Sequence, residues 1–223
     1  MDELIQYAPD LGEGFLNNIK LSLIIAVFSL IVGTILAAMR VSPTPVLRAA
    51  GTVYVNVVRN TPLTLVLAFC YLGLSDTLGL IFSTEVPLTN SFWLAVLGMS
   101  AYTAAFVCEA LRSGINTVPM GQAEAARAIG LTFSQSITLV IFPQAFRAVI
   151  APLGSVLIAM IKNTTVVAAA GYTVEIAATM RETFDTTGVS IPIFIGIVLS
   201  FLVLILPIGW YTGWLARRLA VAR

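Results

Sequence analysis

Five stretches of the chain are almost wholly apolar, and short polar segments separate them. The first, NIKLSLIIAVFSLIVGTILAAM, covers 18–39 and is closed by Arg40. The second, VYVNVVRNTPLTLVLAFCYLGL over 53–74, is interrupted by Arg59, Asn60, Thr61 and Pro62. The third, FWLAVLGMSAYTAAFVCEAL over 92–111, carries one carboxylate, Glu109. The fourth, AVIAPLGSVLIAMI over 148–161, runs into Lys162, Asn163, Thr164 and Thr165 before VVAAAGY. The fifth covers 191–216 and is apolar throughout. A helix needs about 20 apolar residues to cross a bilayer. The pattern therefore predicts an all-α integral membrane domain of five transmembrane helices. No repeat, low-complexity segment or long linker divides it, so 1–223 reads as a single domain.

Composition agrees. Of 223 residues, 58% are hydrophobic and 10% charged, against about 25% charged in soluble domains; mean hydropathy is +0.96. A net charge of +1 without a basic stripe gives no basis for nucleic-acid binding. Cys70 and Cys108 lie in apolar runs, where a free thiol behaves as a small hydrophobe. The acidic N-terminus, MDELIQYAPDLGEG, lacks the basic flank and cleavage site of a signal peptide, so the mature chain is expected to begin near Met1.

Lys and Arg collect in cytoplasmic loops. Arg40 and Arg48 follow the first run, Arg112, Arg127 and Arg147 the third, and Arg217, Arg218 and Arg223 the fifth. The intervening segments hold Asp2, Glu3, Asp10, Glu13, Asp76, Glu85, Glu175, Glu182 and Asp185, against Arg181. This predicts an N-out, C-in chain.

One polar stretch stands apart, MGQAEAARAIGLTFSQSITLVIFPQ over 120–144. Residues 122–129 are strong helix formers with Ala at four positions. Pro119 precedes them, and Gly130 is placed to end the helix in the left-handed conformation. Glu124 can pair with Arg127 at i, i+3. Ala125, Ala126 and Ile129 would leave a small, flat surface for docking another protein. The plainer alternative is a cytoplasmic loop that happens to be helical.

Polar residues inside a membrane are costly and mark pathways. Four groups qualify: Arg59, Asn60 and Thr61; Tyr102 and Thr103; Glu109 and Arg112; and Lys162 to Thr165. Pro62 and Pro152 can loosen their helices, and backbone freed near a break can coordinate substrate. The plainer alternatives are an Arg59 that snorkels to the surface, a structural Glu109–Arg112 pair, and a Tyr102 that serves packing. Enzyme chemistry finds little support. The chain has no histidine for HExxH or Ser-His sites, and GMSAY (98–102) lacks the second glycine of a GxSxG elbow. No GxxxxGK[ST] phosphate loop occurs, and nothing resembles the carbonyl-lined filter of a channel.

The spacing from Glu124-Ala125-Ala126 through Gly130 to Pro143 resembles the EAA loop of ABC-transporter membrane subunits, and GQAEAARAIGL resembles its polar amino acid permeases. The consensus ends Ile-x-Leu-Pro, whereas this chain has Val140-Ile141-Phe142-Pro143. RNTPL (59–63), AYTAAFVCEALRSGI (101–115), FPQAFR (142–147) and KNTT (162–165) also fall where that family has motifs. The combination most resembles the permease subunits of bacterial glutamate uptake systems.

The resemblance implies the type I ABC importer fold in the bacterial plasma membrane. The loop over 116–143 would be a coupling loop, with Gln122, Glu124, Ala125, Ala126, Arg127 and Gly130 docking a cytoplasmic ATPase. Two such ATPase subunits would bind ATP and Mg; this chain would bind no cofactor or metal and would not be the enzyme. A second permease subunit, a paralogue or an identical copy, would complete the pathway, and an extracellular solute-binding protein would deliver the amino acid. Substrate contacts would come from Lys162, Asn163, Thr164, Thr165, Tyr102, Arg59, Asn60 and Thr61. Many relatives carry aspartate where this chain has Asn163, which favours an acidic substrate such as glutamate. Glutamine or aspartate, or another polar or basic amino acid, are the alternatives.

Overall fold

The computed structural model describes residues 2–188 and 190–219; Arg223 lies outside them, as do the side chains of Asp2 and Glu3. The described residues are helical, with no strand among them. Helix α1 (Asp2–Val41) holds the first apolar run but begins well before it. At 40 residues it is about 60 Å long, twice the hydrocarbon thickness, so its early turns stand beyond the membrane.

The second run is not one straight helix. Helix α2 (Pro45–Arg59) stops at Asn60, and α3 (Leu63–Ala68) leaves at 104° before continuing as wider π-type turns over Phe69–Thr77. Pro62 contributes to the break: it lacks an N–H for the helix ladder and disfavours helical backbone at Thr61, and its own ψ of 133° is extended. Asn60 and Thr61 close the end of α2, donating from Asn60 Nδ2 to the Asn56 carbonyl at 2.7 Å and from Thr61 Oγ1 to that of Val57 at 2.8 Å.

Helix α4 (Pro87–Asn116) is the most buried of the long helices. α1 packs along it in parallel: Lys20 lies over Phe92 near one end, and Arg40 meets Glu109 near the other. The chain between them, 42–86, therefore returns from one end of the bundle to the other. After α4 come the short α5 (Met120–Ala128) and α6 (Phe133–Gln135). Thr132 and Gln135 form a capping box at α6, and the helix then runs on through π-type turns, Ser136–Ile141, into α7 (Phe142–Asn163). The fourth long helix thus begins near 133 rather than at Ala148. Pro143 would press on the carbonyl of Leu139 in a regular helix, and the wider turns fall at that point.

α7 runs antiparallel to α4. Gly114 of α4 sits so close to α7 that an added Cβ would fall 2.1 Å from Val149 Cγ2, so a glycine is required there. Thr164–Ala170 tighten into a 3₁₀ helix, and Tyr172 beyond it packs on Phe92. Helix α8 (Ile176–Thr187) packs against the start of α1, and α9 (Ile191–Leu219) lies antiparallel to α7, with Thr212 against Gly154. Leu21, Ile25, Leu67, Met99, Met160 and Val167 form the main core among α1, α3, α4, α7 and the 3₁₀ helix that follows it. α9 exposes most of its apolar surface, as a helix bathed by lipid does. Among the described residues, four helices are long and apolar enough to cross a membrane, and the bent α2–α3 pair makes five if it crosses once.

Candidate functional site

Midway along α4, Tyr102 and Thr103 face α7 across a pocket of about 350 Å³. Phe106, Ser155, Met160 and Asn163 also line it. Asn163 is the last α-helical residue of α7 before the 3₁₀ turns. Thr164 and Thr165 do not open into this pocket. Thr164 is fully buried and donates to the Ile161 carbonyl at 2.6 Å; Thr165 donates to that of Lys162 at 2.9 Å. They stabilise the change of helix type. Lys162 lies on the neighbouring, exposed face of α7 and has no ion-pair partner among the described residues. The structure thus brings Tyr102 and Asn163 together and leaves Lys162 beside them.

On the side of the pocket toward α5, the rings of Tyr102 and Phe106, both part of its lining, lie 5.1 Å apart. The Arg59 guanidinium sits 5.5 Å from the centroid of Phe106. Arg59 thus reaches the edge of the pocket, whereas Asn60 and Thr61 turn back onto α2. Glu109 was expected to pair with Arg112. That pair is present at 3.8 Å, but Arg40 of α1 donates the hydrogen bond to Glu109 Oε1, and Arg59 stands at 3.7 Å. Sequence spacing pointed to the neighbour three residues away; the partner that holds the carboxylate comes from another helix.

Helix α5 starts after Pro119 and stops at Ile129. Gly130 adopts φ +87°. Its N–H donates to the Arg127 carbonyl at 3.0 Å, and the Leu131 N–H to that of Ala126 at 3.1 Å. These two bonds close the last turn in the left-handed manner that favours glycine. Gln122, Glu124, Ala125 and Arg127 are exposed, as are Met120 and Ile129. Two details differ from expectation. Ala126 is buried beneath the helix rather than on the outer surface, and Arg127 Nε donates to the Ala123 carbonyl at 3.4 Å instead of pairing with Glu124.

At the opposite end, Asp10, Glu13, Asn17 and Glu182 line a second cavity of about 530 Å³ between α1 and α8. Glu175, one of the acids of the intervening segments, is buried and caps α8 by accepting from the N–H groups of Ala177 and Ala178. Burial pushes its carboxyl above the usual range despite those two bonds. Burial, with Glu175 nearby, also pushes the Tyr172 phenol up to about 12.

Residues 29–221 match the family of binding-protein-dependent transport system inner membrane components. The chain belongs to this family. The permease is 48% identical to the glutamate transport system permease protein GluC of Corynebacterium efficiens over 96% of each chain. It is 47% identical to GluC of Corynebacterium glutamicum, again over 96% of each. Among solved structures, an amino acid ABC transporter crystallised with histidines shares 26% identity with a TM-score of 0.85, covering 97% of both chains. The chain is a multi-pass inner-membrane subunit of the amino acid ABC permease class, a transporter component rather than an enzyme.

Proposed function

We propose that this permease is one of two membrane subunits of an ATP-driven importer of acidic amino acids, with glutamate the principal substrate. Its N-terminus lies outside and its C-terminus in the cytoplasm, after five crossings. α5 docks a cytoplasmic ATPase that binds ATP and Mg, and an extracellular binding protein delivers the amino acid. The observation that carries this reading is Lys162. It is exposed at the level of Asn163, beside residues halfway along the 30-residue α4. A cation at that depth is costly against lipid. This face of α7 therefore faces water or another subunit, and the pocket beside it opens on the transport path. The high identity to two GluC proteins supports glutamate.

Tyr102 and Asn163 then supply neutral hydrogen-bonding groups, and Lys162 supplies the counter-charge for an anionic substrate. Charge-assisted hydrogen bonds contribute about 1.5–3 kcal/mol. Lys162→Met should raise the concentration for half-maximal uptake about tenfold or more. Asn163→Asp should penalise glutamate more than glutamine, because the new charge opposes only an acidic side chain. Uptake of both radiolabelled amino acids into proteoliposomes, with a binding protein that delivers both, checks this. An unchanged glutamate-to-glutamine ratio in Asn163→Asp removes the pocket from the path.

A further inference from the structure

The cluster around Glu109 is not balanced. One carboxylate lies within ion-pairing range of three guanidiniums, which leaves two positive charges over. Arg40, whose side chain is 8% exposed, holds the hydrogen bond to Glu109. Arg59 and Arg112 stand beyond hydrogen-bonding distance of that carboxylate, with 43% and 39% of their side chains exposed. Arg59 also lies against Phe106, the ring that lines the pocket next to Tyr102. One aromatic ring separates the pocket from unspent cationic charge.

We propose that Arg59 and Arg112 form a second anion site, which receives the side-chain carboxylate of an acidic amino acid as it leaves the α4–α7 pocket toward α5. This inference rests on the reading of that pocket as part of the substrate path. A guanidinium presents paired N–H donors that match a carboxylate, which a neutral amide side chain cannot use as fully. Glu109 has two effects here. It keeps the three guanidiniums together, and its own charge weakens the hold on the substrate. A site on a path must attract its ion and still release it. Arg40 is the fixed member of the cluster, because its charge is already spent on Glu109. An anionic lipid phosphate could offer the same chemistry, so the test separates the two sources.

The experiment uses the complete transporter in proteoliposomes, with glutamate and glutamine delivered by the same binding protein. Arg59→Gln should lower glutamate uptake about ten- to hundredfold relative to glutamine uptake. Arg59→Lys, which keeps the charge but loses the paired donors, should give a ratio between those of Arg59→Gln and the wild type, and Arg112→Gln should shift it in the same direction as Arg59→Gln. Co-purification of the ATPase subunits reports assembly; if Arg59→Gln fails to assemble, the ratios in Arg59→Lys and Arg112→Gln decide. Equal loss for both amino acids would show a structural brace and overturn the proposal, as would an unchanged ratio. An effect seen only in vesicles containing phosphatidylglycerol, and absent in pure phosphatidylcholine, would assign the site to lipid and overturn it too. If Asn163→Asp changes the ratio and Arg59→Gln does not, this site fails while the pocket stands. If the wild-type transporter carries neither amino acid, the underlying reading fails.

Discussion

Glu109 holds helices together through Arg40, and the other two arginines test that statement. Removing its charge strands a nearly buried guanidinium among two like charges. Breaking a buried pair costs about 3–5 kcal/mol, and partial exposure of Glu109 reduces this to about 2 kcal/mol. Glu109→Gln should therefore lower the thermal unfolding temperature of the detergent-purified protein clearly. Arg112→Gln, which removes a half-exposed group at 3.8 Å, should change stability by about 0.5 kcal/mol or less. Equal destabilisation by the two variants would mean that the i, i+3 pair, not the α1–α4 contact, is the structural one. The carboxylate itself was legible, because a charge inside an apolar run draws notice. Its partner was not, since Arg40 lies 69 residues away and only tertiary packing brings it close. The burial of Glu175 was hidden for a related reason. Glutamate is an unusual helix cap, so nothing local marked it as the buried start of α8.

Elements with strong local signals emerged close to their expected form. α5 begins after Pro119 and ends at Gly130, because the stop depends on one residue's backbone freedom. The break at Arg59-Asn60-Thr61-Pro62 was visible, but its 104° angle depends on how α2 packs across α1 and α4. The early start of the fourth helix was hidden by Ser134, Gln135 and Gln144, polar residues that a helix leaving the membrane can carry. α5 gives the element-scale prediction. Gly130 has open space where a Cβ would go, so bulk alone is tolerated, but φ +87° strains any other residue. Gly130→Val should cost about 1–2 kcal/mol locally and fray the end of α5. The membrane helices do not depend on it, so the purified subunit should keep its unfolding temperature. Substrate-stimulated ATP hydrolysis by the assembled transporter should fall. Full stimulation in Gly130→Val would sink the coupling role of α5.

For the whole molecule, the parallel packing of α1 and α4 constrains the path of the chain. Two neighbouring helices that run the same way need a return between them, and 42–86 is the only chain available. The bent α2–α3 pair therefore counts as a crossing in our reading, and α7 and α9 add two more. An odd number of crossings puts the termini on opposite faces. Charge sets the sign. Arg48, Arg127 and Arg147 are exposed around the α5 end, whereas Asp10, Glu13, Asp76, Glu182 and Asp185 are exposed at the other. Excess Lys and Arg faces the cytoplasm. Cys70 and Cys108 are buried free thiols, so replacing both with alanine removes background labelling. In that background, single cysteines at Glu13, Asp76 and Asp185 should react with an impermeant maleimide on intact cells. One at Gln122 should react only after permeabilisation. Asp76 is the decisive position, because it follows the bend. If Glu13 labels from outside but Asp76 only after permeabilisation, the α2–α3 pair is a re-entrant hairpin and the five-crossing reading fails; labelling of Gln122 from outside would reverse the orientation altogether.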